Sequence, residues 1–395
     1  IRDIALRRII DSRGNPTIEA EIRTKTGFGR AAAPAGASTG THEAVAWPEG
    51  SVSKGMQAAE KKLLPQLIGL SSDDQETFDK TLRDIDGTTN FSNIGGNVTV
   101  ALSLACAKAA ADSKEIGLYE HVGKADRYAL PAPMSNVLGG GAHAIGGTDI
   151  QEFLVTSFTD DVNSAIEANS AVHKKVGSML KEKFPNIALG KGDEGAWVAP
   201  MGNVDALELV VDAANKVEKE TGVEIRPGLD MAASEFYKDG KYRYKEQTLT
   251  PEKQVDFVAG LIEEYNLHSV EDPLDQEDFE SWANLTEETD ALIIGDDLYV
   301  TNAERLQKGI EMGSTNSILI KPNQIGTLTD TINAVELANK ADMATVISHR
   351  SGETTDSTIA HLGVAFGSHA IKTGIMGGER IAKLNELVRI SEQLR

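Results

Sequence analysis

The chain has 395 residues, 40% of them apolar and 25% charged, with a single cysteine. That mixture is globular, and the length exceeds one ordinary domain. A formal net charge of −21 and a pI near 4.8 argue against nucleic acid or an anionic membrane as a partner through bulk charge, and one cysteine excludes an intrachain disulfide framework or a cysteine zinc site.

In chain order, residues 1 to about 125 mix element types. The stretch IIDSRGNPTIEAEIRTKTGFGRAAAPAG predicts antiparallel strands turning at Gly14, Asn15 and Pro16. Helices are expected near 53–69, 74–84 and 97–122, the last containing Cys106, and GASTG at 36–40 reads as a small-residue loop able to move. The chain starts at Ile1 without Met, so a native start further upstream is expected. Neither a signal peptide nor an apolar run of bilayer length is seen, which makes a reducing cytoplasm the expected location.

From about residue 126 an apolar run ending in a charged or polar group is followed by a helix, and the unit recurs. The runs end at Asp230, Glu271, Asp296, Lys321, His349 and Lys372, in steps of 41, 25, 25, 28 and 23 residues, which suit βα units. One intervening helix is expected to start with Thr250 as N-cap and Pro251 at N1, placing Val255, Val258, Ile262 and Tyr265 on one face. Another covers NAERLQKGIEMG and ends at Gly313. Serial units of this kind predict an α/β fold: a (β/α)8-type barrel, residues 126–395, behind an N-terminal α+β domain, residues 1–125. In such a barrel the strand C-termini share one mouth, where active sites lie.

That mouth would gather three acids. Asp230, Glu271 and Asp296 together oppose one another unless neutralised, and an all-oxygen donor set favours Mg²⁺ over zinc. Each acid alone is equally well a surface or helix-capping group, above all in the Asp296–Asp297 pair. Lys321 ends the run ILIK beside the same cup, and Pro322 follows it. A lysine at a strand end ordinarily reaches water; next to a metal, positive charge favours its neutral form, a base. The chemistry this suggests is removal of a proton α to a carboxylate. A pKa gap of ten units amounts to about 14 kcal/mol, which metal charge must offset. Glu194 in GKGDEGAW, and Gln151 and Glu152 in DIQEF after GGGAHA with His143, offer an acid for the opposite side. SHRSGET adds His349, Arg350 and Ser351, where Arg with a hydroxyl suits a phosphate. Read alone, these are acidic turns and a rim salt bridge.

Together IIDSRGNPT, GASTGTHEA, DIQEF, GDEG, DMAASEFYKDGKY, SVEDPLD, GDDLYVTN, NQIGTL, SHRSGET and IKTG resemble the enolase family, in order along nearly the whole chain. The resemblance implies reversible dehydration of 2-phospho-D-glycerate to phosphoenolpyruvate in glycolysis and gluconeogenesis. It implies two Mg²⁺ per site, the second bound with substrate. By position, Asp230, Glu271 and Asp296 match the ligands of the first ion, and Ser38 the mobile-loop serine that joins the second. Lys321 matches the base, Glu194 the acid with Glu152 beside it, and His143 a lid histidine. Arg350 and Ser351 match a phosphate clamp and Lys372 a carboxylate holder, with His349 and Gln151 also facing substrate. It further implies a homodimer or homo-octamer. The chain departs from the family pattern at Ala35, Gly139, Ala196–Val198, Pro322, His369–Ala370, in GIMGGER and in AWPEGSVSKG. None of these removes a proposed catalytic group. Two other readings fit less well: a diverged dehydratase of another 2-oxy acid, against which Arg350 and Ser351 argue, and a non-catalytic scaffold, against which the strand-end charges argue.

Overall fold

The computed structural model describes residues 1–394 other than Ser38, Lys124, Asp126 and Ile145. The chain opens with an antiparallel sheet, β1 (Asp3–Ile10), β2 (Pro16–Arg23) and β3 (Phe28–Ala32), in that order. Ile18, Ala20 and Ile22 share one face of β2 and are fully buried. The main helices that follow are α1 (Val52–Ala58), α2 (Gln75–Asp86), α3 (Gly96–Ser113) and α4 (Leu118–Gly123). The stretch expected as one helix near 97–122 is two, because Glu115 takes a φ of +57° between them. The first expected helix runs on from α1 through a π turn at Ala59–Leu63 to Leu67. Helix α3 is apolar nearly all round and is therefore buried.

Eight strands then close into a barrel: β4 (Ala132–Gly139), β5 (Glu152–Phe158), β6 (Glu224–Asp230), β7 (Ser269–Glu271), β8 (Leu292–Gly295), β9 (Ser317–Ile320), β10 (Ala344–Ser348) and β11 (Ala370–Lys372), with β11 pairing back onto β4. Not all neighbours are parallel. β5 runs antiparallel to both β4 and β6, and the parallel βα succession runs from β6, the strand whose run ends at Asp230, onward. The helices α5 (Val162–Lys183), α6 (Asn203–Thr221), α7 (Pro251–Tyr265), α8 (Phe279–Glu288), α9 (Ala303–Met312), α10 (Leu328–Lys340), α11 (Thr358–Ala365) and α12 (Gly378–Gln393) connect and cover the strands. α7 starts at Pro251 and buries Val255, Val258 and Ile262, and α9 ends on left-handed Gly313, both as expected. The barrel interior is plugged by Met134, Leu154, Ile294, Leu319, Val346 and Ala370, a packed core rather than a pore. No described helix is long and apolar enough to cross a membrane.

Candidate active site

Strand register assembles the site. Glu271 pairs with Asp230, Asp230 with Glu152, and Ser348 with Lys372. Neighbouring strands thus end level, and their terminal side chains converge at the barrel mouth. Asp296, Lys321 and His349 each follow directly on the last residue of β8, β9 and β10. Pro322 after Lys321 starts a short helical turn as its first residue, where no backbone donor is required.

A narrow cavity opens among these groups, lined by His143, Gln151, Glu152, Glu194, Asp230, Lys321, His349, Arg350, Ser351 and Lys372, with Gly36 and Ser348. The structure therefore brings together ten of the thirteen predicted site residues around one space. Of the others, Asp296 binds Lys321, Glu271 binds Lys372, and Ser38 lies outside the described residues.

The charges are arranged differently from expectation in three respects. First, Asp230, Glu271 and Asp296 do not form one isolated trio. The tight cluster holding Asp296 is Asp272, Asp296 and Asp297, with oxygens within 4.8 Å of one another. Asp230 and Glu271 are joined instead by the Lys372 ammonium, 2.9 Å and 2.6 Å away, with Glu152 at 3.3 Å. Burial would lower the Lys372 pKa, but these carboxylates push it well above the ordinary lysine value. Burial and Asp230 push Glu271 well above the carboxylate range, and burial with Asp296 raises Asp297 to about 8. The cup thus gathers more buried carboxyl groups than lysines, and the donors of the Asp272–Asp296–Asp297 cluster are all oxygens. Both properties fit a hard divalent cation.

Second, Lys321 is not a free amine. Nζ donates to Asp296 Oδ2. Burial lowers its pKa, but Asp296 more than restores it. Asp296 is fixed in turn by Gln324 Nε2 (2.9 Å), which also reaches Glu43.

Third, the two buried acids are shifted in opposite directions. Burial would raise Glu194, yet His349 (3.1 Å), His143 (3.7 Å) and Arg380 hold it well below the usual range. Burial and the Glu194 charge raise Glu152 to about 7. Asn136 Nδ2 donates to Glu194 Oε2 at 3.1 Å. Arg350 donates to both oxygens of Glu43 (3.0 and 2.9 Å) and to Asn323 Oδ1 (3.0 Å), while Ser351 Oγ accepts from Ala37 N at 2.6 Å. A two-residue bridge between Ala35 and Gly352 seats this part of the chain over the mouth.

Several groups here escaped the sequence reading. Asp272 and Asp297 were visible only as acidic doublets, and neither caps a helix. Glu43 in GTHEA and Arg380 in GIMGGER carried no local signal of a site.

A barrel with a lysine and a pair of buried carboxyl groups at opposite walls of one acidic mouth has the layout of an enzyme that can move protons on a bound substrate. Known proteins narrow the class. The family model described as enolase, C-terminal TIM barrel domain, matches residues 127–395, and that of the enolase N-terminal domain matches residues 1–122. Among similar proteins, the enolase of Methanosphaera stadtmanae is 50% identical over 100% of this chain and 97% of its own. That of Halorubrum lacusprofundi is 52% identical over 99% of this chain and 98% of its own. That of Thermoplasma acidophilum is 46% identical over 100% and 98%. The chain belongs to the enolase family. It is a phosphopyruvate hydratase, a carbon–oxygen lyase that dehydrates 2-phosphoglycerate with a metal cofactor.

Proposed function

We propose that Lys321 takes the C2 proton of 2-phosphoglycerate and that the Glu152–Glu194 pair delivers a proton to the departing 3-hydroxyl. One observation carries this assignment. Glu152 begins β5 and Lys321 follows β9, and these strands are diametrically opposed in the barrel order. A substrate held between them can lose its proton on one face and its hydroxyl on the other.

The roles of the remaining groups follow from their chemistry. Burial and the Glu194 charge raise Glu152 to about 7, so the pair, which titrates as a unit, can hold a proton near neutral pH. Arg350 and Ser351 receive the phosphate, the planar guanidinium fork offering two parallel N–H groups. Lys372 neutralises the substrate carboxylate, and Gln151, His143 and His349 line its approach. Asp230, Glu271 and Asp296 would hold Mg²⁺, two ions per site with Ser38 on the second. Bound there, the ions would neutralise the cup and stabilise the dianion that forms when the C2 proton leaves. The proton on Lys321 is held by Asp296, so engaging that carboxylate frees the amine to act as base. Residues 1–125 serve as a cap and 126–395 as the catalytic barrel, in a cytoplasmic homodimer or homo-octamer. The Ala35–Gly352 bridge and the Glu43–Arg350 pair support the capping role.

The test is a split between two half-reactions. Lys321→Ala should abolish exchange of the C2 proton with solvent. Glu152→Gln should retain exchange while losing phosphoenolpyruvate formation by about a hundredfold or more. Exchange persisting in Lys321→Ala would remove Lys321 from its role.

A further inference from the structure

Arg380, near the start of α12, is fully buried, with 0% of its surface exposed. Its Nε lies 3.4 Å from Glu379 Oε1 on the same helix. The two Nη atoms of its guanidinium converge on three backbone carbonyls and one ring. Nη1 donates to Arg350 O (2.5 Å) and to His349 Nδ1 (2.9 Å). Nη2 donates to Ser351 O (2.6 Å) and Asp193 O (3.2 Å). The carbonyls belong to the residue before Glu194 and to both residues of the proposed phosphate clamp.

The contact with His349 decides more than position. A guanidinium has only donors, so Nδ1 must accept. A neutral imidazole with its lone pair at Nδ1 carries its hydrogen on Nε2. A doubly protonated ring would face the guanidinium donor with an N–H of its own. Nε2 lies 3.1 Å from Glu194 Oε1, but no hydrogen bond to it is well aligned. The ring also lines the cavity. The charged groups facing His349 are Glu194, Arg380 and Glu353: two carboxylates that favour protonation, and one cation that opposes it at contact distance.

We propose that Arg380 is a positioning residue that fixes His349 as the neutral Nε2–H tautomer, so that its one N–H lies beside Glu194 and is available to a substrate oxygen in the cavity. The same guanidinium ties the Glu194 turn to the Arg350–Ser351 segment, which sets the spacing between the acid pair and the phosphate site. The inference builds on the proposed roles of Glu194 and the clamp, but its central claim, the tautomer, can be read without any activity. Burial and Arg380 together lower the His349 pKa to about 4, against the pull of Glu194, which agrees with a ring that stays neutral.

The test is long-range ¹H–¹⁵N correlation spectroscopy of full-length protein with ¹⁵N-labelled histidine. The chain has eight histidines, and a His349→Asn sample identifies the signal. Wild type is expected to keep Nδ1 bare and Nε2 protonated from about pH 5.5 to about 8.5, with no titration near the ordinary histidine value of about 6.5. In Arg380→Gln the ring should titrate near that value or exchange between tautomers. kcat should fall tenfold or more, with a new limb near pH 6.5 in its profile. Arg380→Lys, which keeps a donor at Nδ1, should restore the single tautomer. A wild-type ring protonated at Nδ1, or titrating near pH 6.5, would overturn the proposal. So would an unchanged His349 pattern in Arg380→Gln. Should that variant not fold, the wild-type spectrum and Arg380→Lys decide. A failed C2-exchange experiment would touch the assignment of Lys321 and leave this result standing.

Discussion

Asp272 sits one residue past Glu271 at a φ of +43°, and its two oxygens accept the backbone N–H groups of Asp296 and Asp297, each at 2.9 Å. It thereby fixes where Asp296 stands relative to the end of β7. Asparagine tolerates the same left-handed backbone, so Asp272→Asn is a clean probe. Its amide would face one backbone N–H with a donor, leaving a buried group unpaired at a cost of about 1–3 kcal/mol. Asp296 would shift, and the Mg²⁺ concentration for half-maximal rate should rise about tenfold or more. Initial rates across a Mg²⁺ series would measure this, and an unchanged requirement would mean that Asp296 is positioned without Asp272. The contrast with Lys321 shows what single residues disclose in sequence. Lys321, Glu271 and Lys372 were legible because a strand end in a barrel has a known address. Glu43 was not: it meets Arg350 across 307 positions of chain, and nothing local marks that encounter. The opposite shifts of Glu152 and Glu194 were also illegible, since they depend on how burial, His349, His143, Arg380 and Lys372 are placed around two neighbouring acids.

Among the elements, the tightest constraint lies between β3 and α3. A Cβ added to Gly29 would come 1.9 Å from Ala105 O and 2.5 Å from Ala109 N, both backbone atoms that cannot rotate away. Gly29→Ala should force strand and helix apart and lower stability by about 1–3 kcal/mol or more. Gly240→Ala is the matched control. There φ is +74° but nothing lies within 4 Å, so only backbone strain of roughly 1–2 kcal/mol applies. Urea midpoints compared for the two variants check the difference, and equal losses would mean that the β3–α3 approach relaxes freely. Element periodicity was read well where it was strong, as in α7 and α9. It failed at the β4–β5 hairpin, whose connection GGAHAIGGTDI lacks a short turn signal, so two antiparallel neighbours passed unnoticed. The departures from the family pattern also acquire reasons at this scale. Trp197 donates to His173 O at 2.9 Å and stacks on the His173 ring, while His173 Nε2 lies 2.9 Å from Gly195 O. The pair braces the turn that carries Glu194.

Across the whole molecule the barrel has a charged mouth and a very different floor. At the mouth, buried acids outnumber the lysines beside them, so cations that bind only the folded state should stabilise it. A free ligand at 100 times its Kd contributes about 2.7 kcal/mol, and EDTA should therefore lower the Tm of the Mg²⁺-loaded enzyme by a few degrees. On the floor, His268 precedes β7 and His369 precedes β11, strands on opposite sides of the barrel order. Their Nε2 atoms meet at 3.2 Å, with Phe158 against both rings. The groups facing His268 are His369, Arg226 and Glu224; burial, then His369 and Arg226, lower its pKa to about 4, against Glu224. The unfolded ring titrates near the ordinary value of about 6.5. Between these values the unfolded chain binds a proton that the folded chain refuses, so stability rises with pH through that window. The contribution is complete above about pH 6.5 and is lost as pH falls toward about 4. Because the rings are partly exposed, solvent screening reduces it to on the order of 1–2 kcal/mol. Denaturant midpoints measured from pH 7 to pH 4 should therefore fall less steeply in His268→Gln than in wild type, with the curves diverging below about pH 6.5. Parallel curves would place the acid sensitivity elsewhere, in the carboxylates of the mouth, and a double series with and without Mg²⁺ separates the two ends of the barrel.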